Sequence, residues 1–80
     1  MTIKILAFGI AKEIVGDSHI DIQVPENISA SSLKDLLGQT YPPLQKLKSF
    51  MLAVNNSYAN DNQVILVSDE IAIIPPVSGG

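Results

Sequence analysis

The residues most suited to take part in a reaction lie at the C-terminal end of the sequence, which reads Val77-Ser78-Gly79-Gly80. Glycine has no Cβ and tolerates nearly any backbone geometry, so a Gly-Gly end fits a channel too narrow for any other residue. We therefore expect the α-carboxylate of Gly80 to be the working group of the protein, with no side chain doing the chemistry.

A carboxylate needs activation before it can react, because at neutral pH it is a poor electrophile and a poor nucleophile. ATP would convert it to an acyl-adenylate, which has a good leaving group. A sulfur donor would then displace AMP and leave a thiocarboxylate, whereas an amine would form a protein conjugate. Both routes remain open on the residues alone, and both require the carboxylate of Gly80.

Two prolines lead into this segment. Pro75 and Pro76 fix two φ angles and remove two N–H donors, so a sheet cannot continue through them. We expect residues 1–75 to form the domain and residues 76–80 to form an extended, flexible tail. An inert, frayed terminus is the alternative, although such an end has no need of a rigid and partly apolar lead-in.

The remaining polar side chains indicate no second chemical site and no metal site. His19, the only histidine, lies on the polar side of a predicted strand and is expected at the surface. Asp69 and Glu70 are interpreted as a turn, because adjacent residues of a strand point to opposite faces and cannot act as a pair. Ser78 has no base nearby in the sequence and is not predicted to be a nucleophile.

Composition narrows the class of protein. The 80 residues make one domain, and the 46% hydrophobic content supports a real core. The absence of cysteine excludes disulfides and thiolate chemistry. Five lysines, no arginine and a net charge of −3 argue against nucleic-acid binding. No apolar run approaches the roughly 18 residues of a membrane span, and no signal peptide is recognised, so a cytoplasmic protein without membrane contact is expected.

Apolar periodicity predicts the elements that must position the tail. Alternation indicates four strands and a short edge strand near Tyr58, and a shorter apolar stretch indicates one or two helical turns. The predicted strands and turns span Thr2–Gly9, Ile10–Val15, His19–Val24, Phe50–Val54 and Ile71–Ile74. The close spacing of the first two strands favours a β-hairpin.

One main helix is predicted between the second and third strands. Ser29 is a suitable N-cap, and the helix ends at Gly38 or runs on to Tyr41 before two prolines stop it. Its inward stripe is formed by Leu33, Leu36 and Leu37. The order of elements predicts a two-layer α+β domain, with a mixed sheet packed on one main helix in a β-grasp, ubiquitin-like roll.

Three apolar residues are predicted on the outside of this domain. Phe8 shares its strand face with Lys4, and Ile74 lies opposite the inward Ile71 and Ile73. Tyr58 belongs to the edge strand. Scattered surface apolar residues are ordinary, but if Phe8, Tyr58 and Ile74 cluster, they form a docking patch.

Three segments carry a resemblance to a known family. Residues 69–80, which end in Pro-Pro-Val-Ser-Gly-Gly, strongly resemble the C-terminus of the small subunit of molybdopterin synthase, the MoaD-like sulfur carriers. Ala53-Val54-Asn55 matches a second family signature. Residues 11–16 and the first strand look like the family's opening, so the resemblance covers nearly the whole chain.

The resemblance implies a β-grasp fold and a reaction cycle. An activating enzyme would adenylate the terminal glycine with ATP, and a sulfurtransferase would supply sulfur. The tail would then enter the large subunit and donate sulfur to cyclic pyranopterin monophosphate. An assembly of two small and two large subunits is implied, in which this chain is the sulfur donor and binds no permanent cofactor.

Family roles carry over residue by residue. Gly80 would bear the thiocarboxylate, Gly79 would permit threading together with residues 75–78, and Phe8, Tyr58 and Ile74 would contact partners. Two departures are visible, because Lys12 stands where the family often has Arg and Ser68 where it usually has Gly. The alternatives are a carrier for thiamine or another sulfur product, a ubiquitin-like protein modifier, and a binding module with an inert tail.

Overall fold

The computed structural model describes residues 1–47 and 50–75 of the chain. Each predicted strand and helix is present there, with ends shifted by one or two residues. In chain order the elements are β1 (Thr2–Ala7), α1 (Gly9–Val15), β2 (His19–Gln23), α2 (Ala30–Thr40), a 3₁₀ helix (Pro42–Lys46), β3 (Met51–Val54), β4 (Ser57–Tyr58) and β5 (Ile71–Ile74). The predicted division into a domain of residues 1–75 and a tail of residues 76–80 stays a prediction.

The strands of the described residues form one mixed sheet in the order β2-β1-β5-β3-β4. The central pair, β1 and β5, is parallel, and the other neighbours are antiparallel. The predicted β-hairpin is confirmed as the antiparallel pair of β1 and β2, with α1 in its connection. With α2 packed on one face, this is the predicted β-grasp roll.

Strict alternation along the strands builds the core. The strand side chains that face α2 are almost completely shielded from solvent, and they are Ile3, Ile5, Ala7, Leu52, Val54, Ile71 and Ile73. From the opposite layer, Leu33 and Leu37 are completely buried, whereas Leu36 is half-buried at the edge of the predicted stripe. Leu44 of the 3₁₀ helix and Ile65 of the loop before β5 close the core.

Helix α2 begins as predicted and ends at the later of its two predicted positions. The Ser29 Oγ accepts a 3.1 Å hydrogen bond from the Ser32 N–H, which confirms the N-cap. At the other end the Tyr41 N–H donates to the Leu37 carbonyl, so Gly38 lies inside the helix. A Cβ at Gly38 would stand 2.9 Å from Gln45 Cγ, so glycine here allows the 3₁₀ helix to approach closely.

The connections follow the predicted turns. Gly16 ends α1 in the left-handed region with a φ of 87°, as expected for a helix C-cap. Asn55 and Asn56 both have positive φ, of 53° and 70°, which suits the tight turn between the antiparallel β3 and β4. The 3₁₀ helix follows α2 directly after Tyr41, and residues 48–49 lie outside the described residues. No helix of residues 1–47 and 50–75 is long and apolar enough to cross a membrane.

Candidate functional site

The sheet face opposite α2 carries no covering layer in the described residues, and it contains an apolar depression. The depression has a volume of about 330 Å³. Its lining residues are Leu6, Phe8, Ala53, Asn56, Tyr58, Glu70, Ala72 and Ile74. We call this set the open-face patch. All three residues predicted to form a docking patch belong to it.

The strand register explains the shape of the open-face patch. Ala72 lies beside Leu6 on one side and Ala53 on the other, and Ala53 pairs with Tyr58. One row across the sheet therefore has two small side chains in its middle and a larger one at each end. The two alanines form a low floor between Leu6 and Tyr58, which leaves room there for an apolar side chain.

A second row lies nearer to the point where β5 ends. It contains Phe8, Ile74 and Met51, with Met51 directly opposite Ile74. Phe8 is 52% exposed, and Tyr58 in the first row is 65% exposed. Ile74 is half-buried rather than exposed, because it lies on the central strand between its neighbours. The structure thus brings the three predicted residues together, and their role in docking stays a prediction.

The opposite end of the same face is polar. Lys4 pairs with Asp21 across β1 and β2. A shallow hollow beside them is lined by Lys4, Leu6, His19, Ser68, Asp69 and Glu70. No group of three or more acidic residues and histidines in residues 1–47 and 50–75 is placed to hold a metal ion. The open face therefore changes from charged to apolar along the direction in which β5 runs.

His19 lies at the surface, as predicted, in a small polar turn before β2. Its Nδ1 lies 3.0 Å from the Ser18 Oγ. The neighbouring Asp17 accepts hydrogen bonds from the backbone N–H groups of His19 and Ser18, which hold the pKa of its carboxyl below the ordinary value of 3.8. These hydrogen bonds stabilise a turn at the surface, where each of the three side chains is at least partly exposed.

Strand β5 ends beside the open-face patch. Gly9, directly after Phe8, has a φ of 54°, and a Cβ built on it would lie 3.8 Å from Pro75 Cγ. The ring of the half-buried Pro75 therefore rests near the Gly9 backbone, at the apolar end of the sheet face. Residues 76–80 lie outside the described residues, so the predicted flexible tail and its threading role stay predictions.

A hydrogen-bond network that the sequence analysis missed holds the other end of β5. The Asn55 Nδ2 donates to Asp69 Oδ1 at 2.9 Å, and the Glu70 N–H donates to Asn55 Oδ1 at 3.0 Å. The Leu66 N–H donates to Asp69 Oδ2 at 2.8 Å. The turn predicted at residues 69–70 lies two residues earlier, at Val67 and Ser68, where the Asp69 N–H closes it by donating to the Leu66 carbonyl at 2.9 Å. Two of the segments that carry the family resemblance meet in this network, although no local pattern signals a contact across 14 residues.

The two departures from the family pattern both lie at the surface. Lys12 is exposed on α1, outside the residues that line the open-face patch. Ser68 is exposed in the loop before β5 and lines the polar hollow. Neither residue belongs to the open-face patch, whose floor is formed by Ala53 and Ala72.

Comparison with known proteins gives a family and near-full-length relatives. The chain matches the model of the ThiS family over residues 5–80. It is 41% identical over 83 residues to a molybdopterin synthase sulfur carrier subunit of Caenorhabditis elegans, covering 100% of this chain and 99% of the relative. It is 44% identical over 81 residues to the protein of the same name in Dictyostelium discoideum, covering 96% and 94% of the two chains.

Solved structures share the fold at lower identity. SAMP1 from Haloferax volcanii superimposes with a TM-score of 0.81 at 21% identity over 100% of both chains. A ubiquitin from Caldiarchaeum subterraneum gives 0.67 at 19% identity, covering 100% of this chain and 98% of that one. A chain from the complex of subunits 1 and 2 of the Helicobacter pylori molybdopterin-converting factor gives 0.66 at 23% identity over 100% of both.

Proposed function

We propose that the chain, which belongs to the ThiS family, is the sulfur carrier subunit of a molybdopterin synthase. Relatives of that name match the chain along nearly its whole length. A structural neighbour has been solved together with a second subunit of its molybdopterin-converting factor, which supports a large-subunit partner for this chain. A cytoplasmic location is part of the same proposal.

The observation that carries the proposal is that β5 both lines the open-face patch and ends at the apolar end of that patch. Ala72 and Ile74 of β5 lie in the open-face patch, and Pro75 follows directly at its apolar end. A large subunit that covers the patch therefore lies next to the start of the tail. Short connections between a docking surface and a reacting group raise the effective concentration of that group.

The proposed chemistry takes place at Gly80. In an activating enzyme, a carboxylate oxygen of Gly80 attacks the α-phosphorus of ATP, and pyrophosphate leaves. A sulfide-level nucleophile supplied by a sulfurtransferase then attacks the acyl carbon, and AMP leaves, so that Gly80 carries a thiocarboxylate. ATP is consumed by the activating enzyme, and this chain holds no permanent cofactor.

The sulfur is then delivered within the synthase. Docking of the open-face patch on the large subunit lets residues 75–79 thread toward the active site of that subunit. There the thiocarboxylate sulfur displaces an oxygen substituent from a side-chain carbon of cyclic pyranopterin monophosphate and forms a thioester. Water then cleaves the bond between that sulfur and the acyl carbon, which leaves the sulfur on the pterin and returns the carboxylate of Gly80. Two such transfers supply the two sulfur atoms of the dithiolene. The chain acts as a sulfur donor without a side-chain active site, in an assembly of two small and two large subunits.

The test is the intact mass of the chain after incubation with ATP, an activating enzyme of the family and a sulfur source. We expect a shift equal to exchange of one oxygen for one sulfur. Deletion of Gly79 and Gly80 should abolish both the shift and sulfur transfer, while thermal unfolding stays nearly unchanged, because β5 ends at Ile74. Transfer of sulfur by the truncated chain would contradict the proposal.

Further outcomes separate the alternatives. Addition of the large subunit and the pterin precursor should yield the dithiolene product. A thiocarboxylate that sulfurates only a thiamine precursor would identify a different carrier. Adducts with lysine side chains of other proteins would identify a protein modifier. No shift with an activating enzyme proven on its own carrier, together with no effect of the deletion in cells, would leave a binding module.

A further inference from the structure

Strand β5 must be held in one register for the open face to exist. It has four residues, whose side chains alternate between the core and the open face. A slip of one residue would exchange the two sets, bringing Ile71 and Ile73 to the outside and Ile74 to the core. Burial of Ile71 and Ile73 disfavours such a slip, and in so short a strand the contacts at its two ends add to that preference.

At the start of β5, a side chain replaces a backbone group of the ladder. Asn55 lies opposite Glu70, one step beyond the pair of Val54 and Ile71. The Asn55 N–H donates to the Glu70 carbonyl at 2.9 Å, as in a regular antiparallel pair. The return bond from the Glu70 N–H goes to the Asn55 side-chain Oδ1, at a residue whose φ of 53° departs from the extended backbone of the strand.

The same side chain also holds the loop that precedes β5. Its Nδ2 donates to Asp69 Oδ1, and the second carboxylate oxygen of Asp69 accepts from the Leu66 N–H. The Asp69 N–H donates back to the Leu66 carbonyl at 2.9 Å. Asn55 thus connects the turn after β3 with both the loop and the first rung of β5. A shift of β5 by one residue would break together the three hydrogen bonds that join Asn55 to Asp69 and Glu70.

We propose that Asn55 is a positioning residue for sulfur transfer: it fixes the register of β5 and hence the point at which Pro75 leaves the sheet beside Gly9. This inference rests on the proposed function for its kinetic consequence and on the hydrogen-bond network for its structural one. Asn55 itself lies at the polar end of the sheet, opposite the end at which the tail begins, so it acts through β5 and not by contact with a substrate.

The network allows an exchange of its two side chains. Asn55→Ala removes the acceptor for Glu70 and the donor to Asp69. Asn55→Asp alone sets two carboxylates against each other. Combined with Asp69→Asn, it restores every bond, because the carboxylate at position 55 accepts from Glu70 and from the new amide, and that amide's oxygen accepts from Leu66. Both aspartate and asparagine tolerate positive φ better than other non-glycine residues.

The experiment measures two quantities for each variant and for the original chain. One is amide hydrogen exchange at Ile71–Ile74 in the free chain, and the other is the single-turnover rate of sulfur transfer at saturating large subunit. For Asn55→Ala we expect exchange to rise and transfer to fall by about tenfold each. The double exchange variant should return both quantities to within about twofold of the original chain, whereas Asn55→Asp alone should not.

Ser29→Ala is the matched control, because it also removes a side-chain acceptor of a backbone N–H, but at the start of α2. It should leave the transfer rate unchanged. Equal slowing by Ser29→Ala and Asn55→Ala, or transfer by Asn55→Ala at the original rate, would overturn the positioning role. If the original chain transfers no sulfur, the proposed function fails, and unchanged exchange in Asn55→Ala then overturns the register claim separately.

Discussion

The two faces of the sheet are made by the same strands and serve different ends. Toward α2, the side chains of Ile71 and Ile73 are completely buried. Toward the other side, Ala72 and Ile74 line an apolar depression that α2 does not cover. Four consecutive residues of β5 therefore alternate between the core and the predicted docking face. The comparison places residues for stability and residues for the proposed docking one position apart, so single substitutions should separate the two roles.

The largest expected effect is on the covered face. Ile73→Ala should lower the free energy of unfolding by roughly 2–5 kcal/mol, because it leaves a cavity among fully buried side chains. Ile74→Ala, on the same strand, should lower it by roughly 1–2 kcal/mol, since that side chain is only partly buried. Urea unfolding followed by circular dichroism measures both free energies. Ile73→Val, expected to cost about 1 kcal/mol, keeps the test usable if Ile73→Ala does not fold.

Equal losses of stability at residues 73 and 74 would break the comparison. So would a loss of docking by Ile73→Val at a temperature where that variant remains fully folded. The affinity for the large subunit should fall when an open-face residue is changed and stay the same when a core residue is changed. Ile74→Ala should therefore bind the large subunit more weakly than Ile73→Val.

The second-largest expected effect is on binding to the large subunit. Phe8→Asp should weaken binding to the large subunit by roughly tenfold or more, because a charge replaces an exposed apolar ring in the patch. Folding should be unharmed, since residue 8 is the N-cap of α1 and aspartate is a favourable N-cap. Titration calorimetry measures the affinity, and thermal unfolding checks the fold.

Val67→Asp is the control for Phe8→Asp. Val67 is 65% exposed and lies in the loop before β5, outside the open-face patch. It therefore presents the same change of charge on an apolar surface residue away from the predicted interface. Unchanged binding in Phe8→Asp, or an equal loss in Val67→Asp, would remove Phe8 as an anchor.

The smallest effect belongs to a turn that serves neither face. The folded pKa of Asp17 is depressed by backbone N–H groups, so its contribution to stability is present above the unfolded pKa and is lost as pH falls through the folded value. On acidification below 3.8, the original chain should lose slightly more stability than Asp17→Ala. Urea unfolding at several pH values measures the difference, and a larger acid loss in Asp17→Ala would contradict the direction of the shift.

The sequence was sufficient for most of the architecture because local patterns decide it. Alternation placed Ile3 and Ile5 inside and Phe8 outside, and the hydroxyl of Ser29 marked the start of α2. The end of α2 was left open between two residues, because the choice depends on the 3₁₀ helix that packs on Gly38. That contact is tertiary and has no signature within the helix itself.

The candidate site was predicted only in part for the same reason. Alternation predicts Phe8, Tyr58 and Ile74 on the outer face, and the structure places all three there with Ile74 half-buried. The depression between them depends on two alanines that the register places side by side. Likewise, the joining of the loop before β5 to the turn after β3 through Asn55 depends on the pairing of β3 and β5. The spacing of turns along the chain does not show which of them contact each other in the folded domain.

One consequence of the sheet order concerns synthesis on the ribosome. Strand β5 is the last strand of the described chain, yet it lies at the centre of the sheet, and its parallel pairing with β1 joins Ile5 to Ile71. Such long-range pairing is slow to form and impossible before residue 74 has emerged. Until then a nascent chain has neither a closed core nor a complete open-face patch, so the order of translation sets the earliest moment at which this patch can exist.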